Sequence, residues 1–154
     1  MEERVVETYD EEGWLAQRAT VKDGLLDGEL VQYGPDGQPQ AIMHYAAGKL
    51  EGEAVFYDNG QPQLRMFYRN GLQHGETTVY GPTGLPTATS QHRAGKLEGM
   101  SAWYRPDGTM LRSAEYADGL LDGESIEYDE RGRAAQRTLY RAGEPVPEPR
   151  GARR

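Results

Sequence analysis

Histidine, serine and carboxylate side chains are the groups in this sequence that could carry catalysis or hold a metal ion. The chain has three histidines, His44, His74 and His92. They lack metal-ligand spacing, and no cysteine is present to partner them. The serines are Ser90, Ser101, Ser113 and Ser125, and none lies in the G-x-S-x-G context of a nucleophile elbow. We expect both residue types to be structural.

Carboxylates are more numerous, with 25 Asp and Glu residues in a chain of 154. The pair Asp122 and Glu124 could flank a glycosidic bond, and Asp118 could join them around Ca²⁺. Acids are too abundant for that pairing to be informative, and the spacing matches no calcium loop. The sequence therefore predicts no catalytic residue, no cofactor site and no metal site, and it favours a protein that is not an enzyme.

Overall charge and composition restrict the partners. The net charge is −8, which disfavours nucleic acids and anionic lipid surfaces and favours a basic partner. The chain has no cysteine, and its N-terminus, MEERVVETYD, lacks the apolar segment of a signal peptide. No stretch is apolar enough to span a membrane. We therefore expect a cytoplasmic protein.

Glycine spacing is the dominant pattern, and it defines the elements that must position these side chains. One series comprises Gly24, Gly48, Gly71, Gly95, Gly119 and Gly143, with spacings of 23 or 24 residues. A second glycine follows each of the first five by four residues, and a tyrosine follows that glycine by five more. The repeat unit reads G-x-x-x-G-E-x-x-x-Y-x-x-x-G-(x)7-Y-x-x-G.

Each unit contains two segments of strand length between glycine-bearing turns. Glycine recurs because tight turns require a positive φ. The pattern predicts an all-β protein, an elongated antiparallel β-meander of about 11 to 12 strands with two strands per repeat. The ten tyrosines are expected to stack on their counterparts and to form the core of this sheet.

The repeats define one domain, residues 1–144. A half repeat covers residues 9–23, and full repeats begin at residues 24, 48, 71, 95 and 119. The pattern stops after Gly143, where Pro145 and Pro147 lack the N–H groups that another strand requires. Residues 145–154 are expected to form a Pro/Arg-rich C-terminal tail.

The segments G-L-L-D-G-E-L-V-Q-Y (residues 24–33) and G-K-L-E-G-E-A-V-F-Y-D-N-G (residues 48–60) resemble MORN repeats. They are more similar still to the bacterial variant found in YwqK-type antitoxins of toxin–antitoxin systems. The resemblance covers nearly the whole chain and implies a binding protein, an antitoxin or immunity protein. Met100 stands where the unit has Glu, and His92 where it has Tyr, so we expect the fourth unit to carry features specific to this protein.

Charge is distributed unevenly along the chain. Residues 1–60 carry 13 acids and 4 bases, whereas residues 61–114 carry 3 acids and 6 bases. Residues 115–130, called the acidic segment below, contain no base and seven acids: Glu115, Asp118, Asp122, Glu124, Glu127, Asp129 and Glu130. The segment is either a solvated surface that prevents edge pairing or a docking surface for a basic partner.

Aromatic anchors are the second part of the predicted interface. Alternation along the strands places five apolar side chains on the face away from the nearest closing tyrosine: Ile42, Phe56, Phe67, Val79 and Trp103. Among them Phe56, Phe67 and Trp103 are the expected anchors, since aromatic residues dominate the binding energy of protein interfaces. The alternative is that a curled sheet buries these side chains as ordinary core.

The sequence thus favours a non-catalytic binding protein that neutralises a protein toxin with a basic surface by covering its active or substrate-binding surface. The expected partner-binding residues are Phe56, Phe67, Trp103, Glu115, Asp118, Asp122, Glu124, Glu127 and Asp129. The alternative function is a general protein-interaction scaffold or an envelope-associated repeat module.

Overall fold

The structure is a computed structural model that describes residues 2–147; residues 148–154 of the expected tail lie outside the described residues. Every regular element in residues 2–147 is a strand. The strands are β1 (Glu3–Tyr9), β2 (Leu15–Lys22), β3 (Leu25–Tyr33), β4 (Pro39–Ala46), β5 (Lys49–Leu50), β6 (Gly52–Asp58), β7 (Gln61–Arg69), β8 (Leu72–Gln73), β9 (Gly75–Tyr80), β10 (Pro86–Arg93), β11 (Lys96–Leu97), β12 (Gly99–Tyr104), β13 (Met110–Ala117), β14 (Leu120–Tyr128), β15 (Ala134–Arg141) and β16 (Glu144–Pro145). Twelve strands have six to nine residues and four have two, which confirms the predicted all-β meander.

All strands belong to one antiparallel sheet, in which strands that are consecutive in the chain are neighbours in space. The short strands β5, β8 and β11 pair with β4, β7 and β10 and lead directly into β6, β9 and β12. Extensive contacts join only strands that are hydrogen-bonded neighbours. Residues 2–147 therefore form a single layer, with β1 at one edge and β15 and β16 at the other.

Two kinds of turn connect the strands. Between units, two residues of positive φ form the turn, as with Ala47 (φ 47°) and Gly48 (φ 84°). This is the type I′ geometry, whose twist matches that of the flanking strands. Within the first unit, the turn Gly34–Gly37 is closed by a 3.0 Å hydrogen bond from its last N–H to its first carbonyl. The second unit is one residue shorter because Asn59 (φ 50°) and Gly60 (φ 77°) form a two-residue turn instead.

Cross-strand pairing assigns side chains to two faces, because directly paired residues share a face and successive residues alternate. The polar face carries the glutamates that follow the second glycine, and there Glu53 pairs with Phe67. The aromatic face carries the other set, and there Phe56 pairs with Leu64. Each face therefore presents its own rows of equivalent residues from successive units.

Burial is concentrated in two adjacent residues at the middle of the first strand of each unit, called the central pair below. The central pairs are Leu30–Val31, Ala54–Val55, Thr77–Thr78, Ser101–Ala102 and Ser125–Ile126. All of these except Ile126 are at most 9% exposed. One member of each pair lies on each face, where neighbouring strands and longer side chains exclude water.

The tyrosines do not form the core, and that expectation was wrong. Tyr9 is 57% exposed, and the other nine are only half-buried. In a single layer, water reaches any side chain that extends beyond the central pairs, and a tyrosine is too long to be enclosed by its neighbours. The tyrosines instead flank a core of small and aliphatic residues.

Candidate protein-interaction site

A row of six side chains crosses the aromatic face from β4 to β12. Its members, paired in register from strand to strand, are Ala41, Phe56, Leu64, Val79, Ala88 and Trp103. The row contains no charged side chain; Val79 is 40% exposed, and Phe56 and Trp103 are half-buried. Strands are about 4.8 Å apart, so Phe56 and Trp103 lie about 19 Å from each other. This aromatic row is an apolar stripe of the length that a protein partner can contact.

Trp103 lies between two depressions at the end of the aromatic row. One depression, of about 460 Å³, extends toward β15 and is lined by Trp103, Leu111, Arg112, Glu127, Tyr128 and Ala135. The other, of about 210 Å³, extends toward β9 and includes Val79, Ala88, Leu97 and Tyr116 beside Trp103. An aromatic side chain with a depression on each side is the arrangement expected of an interface anchor.

Arg112 fixes the indole ring of Trp103. Its guanidinium carbon lies 4.9 Å from the ring centroid, within range of a cation–π interaction. The guanidinium Nε and Nη2 both donate to Ser125 Oγ at 3.3 Å. Glu127 is the register partner of Arg112 on β14, so a pair of opposite charges borders the apolar row. The larger depression thus combines an aromatic wall with a cation and an anion.

The five apolar side chains that include the three predicted anchors do not form one patch. Phe67 pairs with Glu53, and Ile42 pairs with Val55, so both side chains lie on the polar face. Phe56 and Trp103 lie on the aromatic face. Residue parity along β4 and β7 separates them, because Phe67 is an odd number of positions from Leu64. The structure places Phe56, Val79 and Trp103 in one row on the aromatic face, and Phe67 on the opposite face of the sheet.

The carboxylates of the acidic segment do not form a single surface either. Glu124 Oε2 accepts a 2.8 Å hydrogen bond from Arg137, and Glu115 Oε2 accepts one from the Glu124 N–H at 3.2 Å, both on the polar face. Glu127 lies on the aromatic face opposite Arg112. Cations therefore oppose two of these carboxylates, which reduces the field that the segment presents to a partner.

Asp129 belongs to a turn. Its Oδ1 accepts 2.9 Å hydrogen bonds from the N–H groups of Arg131 and Arg133, and its Oδ2 lies 3.3 Å from Arg133 Nε. The backbone hydrogen bond from Arg133 is the main cause that lowers the pKa of the Asp129 carboxyl. Asp107 occupies a similar turn, where the hydroxyl and N–H of Thr109 lower its pKa. These carboxylates stabilise turns by satisfying backbone donors.

Acids that precede the second glycine cap the turn at the end of the same unit. The hydrogen bonds run from Ala47 N–H to Asp27 (3.3 Å), Asn70 to Glu51 (2.7 Å), Asp118 to Glu98 (2.8 Å) and Ala142 to Asp122 (3.0 Å). Each donor residue has positive φ. Sequence reasoning missed these caps, although an acid at this position in four of the five units was the available signal. Asp118 and Asp122 are thus parts of the repeat geometry.

The histidines and serines have structural contacts. His92 Nδ1 lies 3.4 Å from Thr77 Oγ1, and burial lowers the pKa of the His92 imidazole. His44 Nδ1 is 2.9 Å from the carbonyl oxygen of Glu53. Ser113 Oγ lies 3.2 Å from the Tyr128 hydroxyl. Among residues 2–147, no three histidine or carboxylate side chains are grouped in the way that a metal ion requires.

The strand order and the repeated turns define a single-sheet repeat protein. A family model for the MORN repeat variant matches residues 26–47 and 50–70, which lie within the first two full units. These two segments are therefore similar to MORN-variant repeats, which indicate a protein-interaction or binding module. No curated protein is similar in sequence. Residues 2–147 contain no helix that is long and apolar enough to cross a membrane.

Two of the solved structures that match the chain do so at low sequence identity. The Glycosylation Associate Protein complex from Streptococcus agalactiae is 21% identical, with a TM-score of 0.40 over 67% of this chain and 19% of that chain. A TarM mutant from S. aureus, in complex with Fondaparinux, alpha-GlcNAc-glycerol and UDP, is 7% identical, with a TM-score of 0.43 over 77% of this chain and 21% of that chain. The chain spans about a fifth of the length of each.

Proposed function

We propose that this chain is a non-catalytic cytoplasmic binding protein that neutralises a cognate protein toxin by covering its active or substrate-binding surface. The observation that carries the proposal is the position of Trp103, half-buried between two depressions at the end of an uncharged row. Trp residues in such positions supply a large share of binding energy at protein interfaces. The aromatic face is therefore the surface that contacts the toxin.

The charge of the chain indicates that the surface of the partner is basic. The net charge of −8 favours a toxin with a basic surface and increases the rate of association with it. Glu124 and Asp129 already have arginine partners, so the acidic segment contributes to attraction at long range more than to close contact. The binding energy comes mainly from the aromatic row and from Arg112 and Glu127 beside it.

Co-expression tests this proposal. The chain is expressed together with each product of the neighbouring reading frames that arrests growth when it is expressed alone. Wild-type protein is expected to restore growth and to copurify with the toxin. Trp103→Ala is expected to weaken binding by about 2 kcal/mol, roughly 30-fold, and to lose the rescue. Phe67→Ala is the matched control, because this aromatic residue is 37% exposed on the opposite face.

Three outcomes separate the alternatives. Loss of rescue with Trp103→Ala and retained rescue with Phe67→Ala support neutralisation through the aromatic face. Equal loss with both variants contradicts the assignment of the face. A stable complex without any rescue contradicts neutralisation and supports the scaffold or envelope-associated module instead.

A further inference from the structure

The two edges of the sheet are formed by different strands of the repeat unit, a first strand at one edge and a second strand at the other. β1 corresponds to the first strand of a unit, since Val6, Glu7 and Tyr9 lie one repeat of 24 residues before Leu30, Val31 and Tyr33. β15 is the second strand of a unit. The meander alternates in direction, so a second copy placed beyond β15 in the same orientation would present its β1 antiparallel to β15. The contact would repeat the junction that joins successive units within the chain.

Both edges are open over most of their length within residues 2–147. All seven residues of β1 are exposed, with Val5 at 58% and Val6 at 38%. Among the described strands, β16 alone pairs with the outer side of β15, at Tyr140 and Arg141. Open strand edges are templates for pairing with another chain.

Pro147 interrupts the repeat pattern at the end of the described residues. It stands where the preceding units have their second glycine, such as Gly52, which has φ +93°. A proline ring fixes φ near −65° and supplies no N–H, so the geometry of the preceding units cannot continue through this residue. The Val146 N–H still donates to the Leu139 carbonyl at 2.7 Å, and the pattern ends there.

The register of the internal junctions specifies how the edges would meet. At successive junctions Arg18 pairs with Val31, Ile42 with Val55, Arg65 with Thr78, Thr89 with Ala102 and Ser113 with Ile126. The same rule pairs Arg137 of one copy with Glu7 of the next. It also pairs Gln136 with Thr8 and Thr138 with Val6.

The two residues that this register pairs across the edges, Arg137 and Glu7, carry opposite charges. Glu7 is the one charged residue in the set of first-strand positions that the rule defines, whose other members are Val31, Val55, Thr78, Ala102 and Ile126. It lies 3.6 Å from Arg18, and Arg137 lies 2.8 Å from Glu124. Joining the edges would create an alternating row of Glu124, Arg137, Glu7 and Arg18 on the polar face. Like-charged edges would repel, so this arrangement favours head-to-tail pairing.

We propose that a second copy of this chain docks head-to-tail, β1 against β15, and continues the antiparallel sheet with Arg137 opposite Glu7. Such an interface is heterologous, because different surfaces of the two copies meet, and it propagates from copy to copy. This inference is independent of the proposed toxin, whose contact surface is the aromatic face.

Engineered cysteines test the register, because the chain has none of its own. The variant carries Thr8→Cys and Gln136→Cys, which leaves Glu7 and Arg137 intact. Within one chain these sites are separated by eleven strand intervals, about 53 Å, so a disulfide between them can only join two copies. Oxidation is expected to produce a ladder of covalent dimers and larger species. The matched control, Thr8→Cys with Thr138→Cys, is two residues out of register and is expected to cross-link far less.

Charge reversal tests the complementarity without cysteines. Light scattering over increasing protein concentration is expected to show a rising mass for the wild type. Glu7→Arg should weaken association about tenfold, and adding Arg137→Glu to the same chain should recover part of that loss, since the two reversals also place like charges beside Arg18 and Glu124. Monomeric protein at every concentration, or equal cross-linking in the two cysteine variants, would overturn the proposal.

Discussion

Residues 26–70 and residues 75–128 build the same sheet around different central pairs. The earlier region places Leu30, Val31, Ala54 and Val55 at the middle of its strands. The later region places Thr77, Thr78, Ser101 and Ser125 at equivalent positions. The MORN-variant family model matches only the first of these regions, yet strand pairing and turn geometry continue unchanged through the second. Glycine spacing and register therefore set this fold more than the apolar content of its core does.

The later region gives polar partners to three of its buried hydroxyls, those of Thr77, Thr78 and Ser125. Thr77 meets His92 at 3.4 Å, and Ser125 accepts from Arg112 at 3.3 Å. Buried polar groups cost free energy unless they are hydrogen-bonded, so these partners are requirements of a hydroxyl core. The need for a polar partner beside Thr77 also explains why His92 stands where other units have tyrosine. The region that supplies Trp103 thus adds side-chain hydrogen bonds to its core, whereas the central pairs of the earlier region are entirely apolar.

The largest difference between the regions is expected from side-chain truncation. Leu30→Ala removes an aliphatic side chain that is 5% exposed, and it should lower the free energy of unfolding by about 2–5 kcal/mol. Ser101→Ala at the equivalent position, 3% exposed, should cost less than about 1 kcal/mol because it leaves almost no cavity. Urea unfolding followed by circular dichroism measures both. Equal costs would show that the two cores do not differ in this way.

Exchanging the central residues between the regions gives the next largest effect. Val55→Thr places a hydroxyl at a site that is 2% exposed and should cost about 1–3 kcal/mol. Thr78→Val, the reverse exchange at the equivalent position, should change the free energy of unfolding by less than about 0.5 kcal/mol, since the side chains are similar in volume. Urea midpoints report both changes. A cost for Thr78→Val as large as that for Val55→Thr would contradict the claim that the fold does not require a hydroxyl at this position.

Loss of Arg112 should have a smaller effect that is specific to the later region. Arg112→Leu removes the contact with Trp103 and both hydrogen bonds to Ser125, and it is expected to cost about 1 kcal/mol. Tryptophan emission should shift as the indole loses its cation. Arg18→Leu is the control, because its 3.6 Å ion pair is exposed and should contribute under about 0.5 kcal/mol. An unchanged emission spectrum in Arg112→Leu would argue against the contact.

The smallest expected effect is a pH dependence that originates at His92. Burial lowers the pKa of its imidazole below 6.5 in the folded protein, so the unfolded chain binds more protons at mildly acidic pH. Stability should be constant with respect to this group above about pH 6.5 and should fall as the pH decreases below that value. NMR titration of the wild type and His92→Tyr assigns the group. A His92 pKa above 6.5 would reverse the sign and contradict the explanation.

The sequence predicted the strands and turns correctly, but it did not predict which side chains share a face of the sheet. Glycine spacing predicts local geometry, because a positive φ is required at fixed positions whatever the side chains are. Phe67 was misplaced because its face depends on register across β6 and β7, which glycine spacing does not encode. Similarly, the cap from Asp122 to Ala142 joins residues 20 apart in the chain, so the acidic segment resembled a free charged surface in sequence. Phe56, Val79 and Trp103 share a face because each directly precedes the closing tyrosine of its strand, a spacing that the sequence does show.

The central claim is that the two regions form one continuous single-layer sheet, and a spin–spin distance tests it most directly. Labels are attached at Gln32→Cys and Gln136→Cys, both exposed positions, and labelled protein is diluted with unlabelled chain to suppress signals between copies. Nine strand intervals separate β3 from β15, which predicts a distance of about 43 Å between the labelled positions. A compact domain of this length has a radius of gyration near 15 Å. A narrow distribution centred below about 30 Å would contradict the continuous sheet.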